Sequence, residues 1–227
     1  MDNNNKMAEY WKTNSLRWEA GAYFEEKTSV KKGLLESISH SFRGRSTYVR
    51  MEKACQFLKP YIQNKSLLDI GCASGRFAQM LVEAGAKHVT GVDISDEVVE
   101  VAKDNIKSSP FRQQFTFSVA DIRENHSSFD QVDITTALGV IEYFTPDDLN
   151  QLFANIPSPY FFFHIAGNTS TFRTQFRHFL RLCYLKLKGC PCVYFYDLKQ
   201  IITVASQYGY TNIWQDGYFV TNLPKQL

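Results

Sequence analysis

No apolar run in this sequence approaches the ~20 residues that a membrane-spanning helix requires. The start, MDNNNKMAEY, lacks the basic-then-apolar pattern of a secretory signal. Both absences predict a cytoplasmic protein whose contact with a membrane, if any, is peripheral. An excess of one charge is missing too: 25 Lys and Arg face 23 Asp and Glu, and a net charge of +2 argues against nucleic acid as a partner. Cysteine is sparse and scattered. Cys55, Cys72, Cys183, Cys190 and Cys192 form an odd set, as expected of reduced thiols. Cys190-Pro191-Cys192 is the one close pair; with no second pair or suitably spaced histidine it reads as a turn, and no metal site is expected. Repeats are absent, and low complexity is confined to Asn3-Asn4-Asn5. What is present suits a packed core: 44% hydrophobic and 15% aromatic residues, in a length that fits one domain. The oligomeric state is not legible.

Along the chain the text begins mixed. Between Met7 and His40, Tyr10, Trp11, Leu16, Trp18, Tyr23 and Phe24 stand among charges, with Gly21 and Gly33 as breaks. One or two short helices are predicted over residues 1–44, packing either on a sheet edge or as a lid over a ligand. From Arg45 to Ile62, Tyr48, Met51, Cys55, Leu58 and Ile62 recur at helical spacing, an amphipathic helix that ends near Lys59-Pro60. Strand candidates follow at Ser66–Ile70, His88–Asp93, Gln114–Val119, Val132–Leu138 and Tyr160–Ile165, with helices between them at Gly75–Ala84, Asp96–Lys107 and Asp147–Asn155. The third crossover, Val119 to Val132, is polar and has room for one helical turn. This alternation predicts an α/β, doubly wound, mostly parallel sheet with helices on both faces. Residues 166–192 depart from it. No acid occurs between Asp148 and Asp197, while Arg173, Arg177, Arg181, Lys186 and Lys188 do, beside an apolar stripe of Phe172, Phe176, Phe179, Leu180, Cys183 and Leu187. The core pattern resumes at 193–227 with a helix over Asp197–Tyr208. Two β runs, Thr211–Gln215 and Tyr218–Asn222, then flank Asp216-Gly217, a hairpin signal.

The stretch LLDIGCASGRFA, Leu67 to Ala78, has the form of a strand, a tight loop of small residues and a helix start. Gly71, Ala73 and Gly75 let a ligand approach the backbone closely. Asp93, 22 positions after Gly71, ends the second strand, where a carboxylate can accept bonds from two ribose hydroxyls. Asp121, just past the third strand, is placed to meet the exocyclic amine of an adenine, with Ile122 able to pack on the ring. Together these point to a bound adenosine. A dinucleotide fits less well: the sixth position from Gly71 is bulky Arg76, and Asp69 would repel a pyrophosphate, whereas it suits the α-ammonium of a methionine.

LLDIGCASGRFA, VTGVDIS, VADI and FDQVDITTALGVIEYF resemble the successive motifs of class I S-adenosylmethionine-dependent methyltransferases, over about residues 45–165. The resemblance implies a Rossmann-like, seven-stranded sheet with an antiparallel C-terminal strand, to which the residues themselves add an N-terminal helical cap and a helical insert after the fifth strand. It implies S-adenosyl-L-methionine as cofactor and S-adenosyl-L-homocysteine as product. Asp69, Gly71, Ala73 and Gly75 would surround the methionine part, Asp93 and Ile94 the ribose, Asp121 and Ile122 the adenine. Leu138 would lie beside the sulfonium. The family more often has glycine where Ala73 stands. GVIEYF is similar to its counterpart in enzymes that methylate small molecules, and the Asn/Asp-Pro-Pro-Tyr/Phe motif of nucleic-acid amino methyltransferases is lacking.

Methyl transfer from a sulfonium is an in-line displacement, so catalysis rests on alignment and on exclusion of water, and a base is needed only where the acceptor must lose a proton. His164, Glu142 and Tyr143, at the ends of the fifth and fourth strands, are the catalytic candidates. A core histidine and a packed tyrosine are their bland alternatives, although the Tyr143 ring could also meet the sulfonium. Arg43, Arg45, Arg173 and Arg177 are candidates for gripping an anionic or lipid-like acceptor, or a membrane surface; solvated arginines are the alternative. The leading expectation is a small-molecule methyltransferase. The runner-up is a non-catalytic module that binds S-adenosylmethionine or a partner on the same fold.

Overall fold

Three consecutive phenylalanines set the architecture. Phe161, Phe162 and Phe163 are all fully buried. Neighbouring strand residues point to opposite faces, so such a run requires cover on both sides of the sheet. The computed structural model describes residues 6–7, 9–15, 47–124, 129–165, 179, 182–183, 185–187, 189–191 and 193–225. Its sheet has the order β3-β2-β1-β4-β5-β7-β6, with β1 (Ser66–Ile70), β2 (His88–Asp93), β3 (Phe115–Val119), β4 (Ile134–Leu138), β5 (Tyr160–His164), β6 (Trp214–Asp216) and β7 (Phe219–Thr221). The first five are parallel. β7 runs antiparallel to β5, and β6 antiparallel to β7. This is the doubly wound Rossmann-like sheet expected above.

The helices divide between the faces according to their apolar stripes. α1 (9–15) and α2 (47–58) precede the sheet. α2, α3 (Arg76–Glu83) and α4 (Asp96–Ile106) send Leu58, Phe77, Leu81 and Val99 against Leu67, Val89 and Phe162. α5 (Pro146–Asn155) and the C-terminal helix Leu198–Ala205 send Leu149, Leu152 and Ile201 against Leu68, Phe161 and Phe163 on the other face. Each fully buried phenylalanine stabilises the fold by roughly 1.5–3 kcal/mol. α5 starts on a reciprocal capping box of Thr145 and Asp148 with Pro146 in the first turn. The C-terminal helix starts on another, formed by Asp197 and Gln200.

Several boundaries shift for identifiable reasons. β4 begins at Ile134 rather than Val132 because the Asp133 carboxylate turns back to accept from the Ser66 backbone N–H at 2.8 Å and from Lys65 Nζ at 3.0 Å. β6 cannot start at Thr211, since Asn212 has φ +55°, a left-handed conformation outside any strand. β7 ends at Thr221, where the Asn222 side chain takes over by accepting from the Phe161 N–H at 2.9 Å. Tyr48, placed on the buried stripe of α2 by its spacing, is exposed; the stripe runs through Met51, Ala54, Leu58 and Ile62 instead. The described parts of the third crossover, residues 120–124 and 129–131, hold a turn and no helix.

Candidate functional site

Strand order reverses between β1 and β4, which places an open crevice at their carboxyl ends. The loop after β1 enters it under tight constraint. The N–H groups of Gly71 and Cys72 both donate to the Val92 carbonyl, at 2.8 and 3.0 Å, so the loop is tied to β2. Gly71 and Gly75 take φ of +68° and +77°. A Cβ on Gly71 would come within 2.3 Å of a Val140 methyl, and one on Gly75 within 2.7 Å of the Phe117 ring. Only glycine meets both demands. Ala73 is also left-handed, with φ +50°, which gives a physical reason for the glycine commonly found there in the family. No side chain caps α3, whose N-cap is Gly75.

Arg76 is exposed and does not stand between helix and strand; the close approach is at Gly75. Bulk at the sixth position therefore does not by itself distinguish the ligand. The acids carry that burden.

Asp93, at the end of β2, accepts from the Ala73 N–H at 3.2 Å and from the Ser95 N–H at 3.1 Å, and so braces the loop from the side. Asp69 lies deeper, 2% exposed, and its Oδ1 accepts from the Thr136 hydroxyl at 2.9 Å. Burial pushes its carboxyl up to about 7, opposed by the Thr136 bond and helped by the nearby charge of Asp93. Asp121 stands past β3 with its carboxylate held by Arg123, whose Nε is 2.8 Å from Oδ1. Ile122 is buried beside it, while Ile94 and Leu138 are half-buried at the ends of β2 and β4. All nine residues named for the cofactor thus gather along one edge.

The exit of β4 adds a residue that the sequence reading passed over. Gly139 has φ +78°, and a Cβ there would come within 2.6 Å of a guanidinium nitrogen of Arg50, from α2. Arg50 Nε is buried and has no hydrogen-bond partner among the described residues. A signal existed: Arg50, Ala54 and Leu58 share one helix face, and the last two are fully buried.

His164 sits at the end of β5, opposite Leu138 in the ladder. Its Nδ1 is 4.0 Å from Glu142 Oε2, and the Glu142 side chain is 1% exposed. Glu142 belongs to a 3-10 turn, Ile141–Tyr143, and its carbonyl accepts from the Tyr194 N–H at 2.7 Å. Tyr218 and Phe219 flank the imidazole at ring distances of 6.0 and 5.9 Å. Tyr143 packs against Trp11, centroids 4.6 Å apart, in an apolar cluster with Met7, Tyr10, Leu185 and Cys190. The other end of this cover reaches the start of α4, just past β2, where Ser95 Oγ donates to the Lys12 carbonyl at 3.4 Å. α1 therefore touches both lips of the crevice. Arg43, Arg45, Arg173 and Arg177 lie outside the described residues. Among the described residues no helix is long and apolar enough to cross a membrane, and no group of His, Cys, Asp and Glu is arranged to hold a metal.

Comparison with known proteins agrees with this geometry. Residues 67–158 match a family model described as a methyltransferase domain. The chain is 31% identical over 123 residues to protein arginine N-methyltransferase 1 of Saccharomyces cerevisiae, covering 48% of this chain and 35% of that protein. It is 30% identical over 95 residues to the ubiquinone biosynthesis O-methyltransferase of Hydrogenovibrio crunogenus, covering 40% and 38%. The chain thus spans little more than a third of these curated relatives. Among solved structures, magnesium protoporphyrin IX methyltransferase from Synechocystis PCC 6803, with bound SAH, superposes with a TM-score of 0.66 at 16% identity, over 96% of this chain and 97% of that one. The methyltransferase-domain match over residues 67–158 and the shared fold both agree with the resemblance of this chain to class I S-adenosylmethionine-dependent methyltransferases.

Proposed function

We propose that this chain binds S-adenosylmethionine at the β1–β4 crevice and methylates a small protic acceptor there. The observation that carries the reading is the donor and acceptor set of the crevice, which matches the parts of that cofactor. Gly71, Ala73 and Gly75 leave room for the methionine chain, with Asp69 below as the counter-charge to its ammonium. Arg50, a cation against Gly139 whose Nε has no hydrogen-bond partner among the described residues, suits its carboxylate. Asp93 and Ile94 would take the ribose, Asp121 and Ile122 the adenine, and Leu138 would border the sulfonium. Bound there, the cofactor supplies an electrophilic methyl group.

The protein's own contribution is alignment and dryness. Met7, Tyr10, Trp11, Tyr143, Leu185 and Cys190 form an apolar cover over the β4 exit, which excludes water from the acceptor side. His164 would receive the acceptor's proton, with the buried Glu142 carboxylate, 4.0 Å away, favouring the imidazolium that results. Support for a small acceptor comes from the small molecules in the names of two of the similar proteins. The basic segment 166–192 would then recognise an anionic or lipid-like part of the acceptor.

Two measurements test the proposal. Calorimetry should show that Arg50→Gln weakens S-adenosylhomocysteine about tenfold to thirtyfold, as for loss of a charge-assisted pair. The same variant should leave 5′-methylthioadenosine, which has no carboxylate, unchanged. Equal affinity of both proteins for S-adenosylhomocysteine would remove Arg50 from the site. Incubation with methyl-labelled cofactor and a cell extract should place label in the low-molecular-mass fraction. Label on protein would overturn the small acceptor, and binding without any transfer would favour a non-catalytic module.

A further inference from the structure

Arg123 is drawn into the fold in a way that a surface arginine is not. It is 10% exposed, its guanidinium lies 5.9 Å above the Phe144 ring, and its NH1 is 3.7 Å from Asp148 Oδ1. Its Nε reaches both oxygens of Asp121, at 2.8 and 3.1 Å, its NH2 holds Oδ2, and its backbone N–H donates to Oδ1 at 3.0 Å. The carboxylate is therefore gripped by a planar fork that fixes its orientation as well as its charge. Asp148, 1% exposed, is itself fixed, because its Oδ2 accepts from the Thr145 N–H at the start of α5. At the far end of α5, Asn155 donates to the carbonyls of Ile122 and Glu124, at 2.8 and 2.9 Å. The segment 121–124 is thus strapped to both ends of one helix, and Arg123 is the strap on the Asp121 side.

This has a chemical consequence for the ring that Asp121 meets. A carboxylate paired with a guanidinium is an acceptor only, so it welcomes the 6-amino group of adenine and repels the 6-oxo group of hypoxanthine. Arginine could undo that selectivity by donating to an oxo group. Here its fork is engaged by Asp121 and faces Asp148, which keeps it turned away from such a role.

We propose that Arg123 is a positioning residue that sets the preference of this site for a 6-amino over a 6-oxo purine. The proposal rests on the reading of Asp121 as the residue that faces the adenine. Removing the guanidinium would free the Asp121 carboxylate to rotate away from the ring, and the discrimination would fade while the pocket's apolar contacts remained.

The test is calorimetry on the full chain with two probes, S-adenosylhomocysteine and its deaminated analogue S-inosylhomocysteine. Wild type should bind the adenosyl compound at least about thirtyfold more tightly, the scale expected when a buried acceptor meets a donor rather than another acceptor. Arg123→Gln should reduce that ratio to below about threefold, chiefly by weakening the adenosyl compound. Because this change leaves Asp148 buried without its cation, Arg123→Gln with Asp148→Asn should be measured beside it and should give the same ratio. Parallel weakening of both ligands, with the ratio kept, would overturn the proposal and leave Arg123 a structural strap. A wild type without preference, together with Asp121→Asn that binds the adenosyl compound normally, would instead overturn the placement of the adenine.

Discussion

Asp69→Asn is expected to raise the melting temperature at pH 8 by on the order of 10 °C and to weaken S-adenosylhomocysteine about tenfold at the same pH. Both effects have one origin. The Asp69 carboxyl is buried at the end of β1, close to Asp93, and is held at about 7 rather than its ordinary 3.8. Below pH 3.8 the residue is neutral in both folded and unfolded chains and costs nothing. Between 3.8 and 7 the unfolded chain gives up the proton while the folded chain keeps it, so stability falls as pH rises. Above 7 the full penalty applies, up to about 4 kcal/mol. Asparagine keeps an acceptor for the Thr136 hydroxyl, bonded at 2.9 Å, and never ionises, so the gain should open between pH 4 and 7 and then level off. The charge that destabilises the empty fold is also what would draw the cofactor's ammonium. Affinity of the wild type should therefore decline below pH 7, and the two proteins should bind alike near pH 5.5. Thermal unfolding and calorimetry across pH 4–9 check both halves. A variant no more stable than wild type at pH 8 would show that Asp69 is not a buried charge in the folded chain.

What the sequence could disclose follows from how local each signal is. β1 and β2 occupy the residues that their apolar patterns predict. The pattern starts β4 two residues early because Val132 continues the apolar run, while Asp133 is diverted by a partner 67 positions away, Ser66. The carboxylates at three strand ends were legible one by one, since a sheet fixes where strand ends point. Their partners were not. His164 and Glu142 meet only because β5 pairs with β4 so that His164 stands opposite Leu138. Arg50 reaches the crevice from a helix whose charged positions read as solvent-facing. Arg76 shows the opposite failure, where a motif position was given a packing role that the fold assigns to its neighbour Gly75. The cover over the crevice was half legible: Trp11 is an aromatic in want of a surface, and that surface is Tyr143. The basic segment around Arg173 and Arg177 lies outside the described residues.

The second large effect is expected at Asp93, where alanine should weaken S-adenosylhomocysteine several hundredfold, about 3–4 kcal/mol. Two contributions combine. In the proposed pose the carboxylate accepts from both ribose hydroxyls, and hydrogen bonds to a charged group contribute roughly 1.5–3 kcal/mol each. The same oxygens hold the N–H groups of Ala73 and Ser95, at 3.2 and 3.1 Å, so their loss also loosens the left-handed loop that must lie against the ligand. Those bonds are long, so this second part should be the smaller. Asp93→Asn separates the two, because it retains one acceptor oxygen and should fall between alanine and wild type. Asp93 also carries a charge that helps to hold Asp69 high, so alanine should bring the Asp69 titration down and recover part of the stability lost with the loop. The double variant with Asp69→Asn should then be less stabilised than the two single changes suggest, as expected for coupled neighbours. Alanine at 93 with affinity within fivefold of wild type would mean that the ribose lies elsewhere. Strict additivity of the two stability changes would mean that these carboxylates do not share one field.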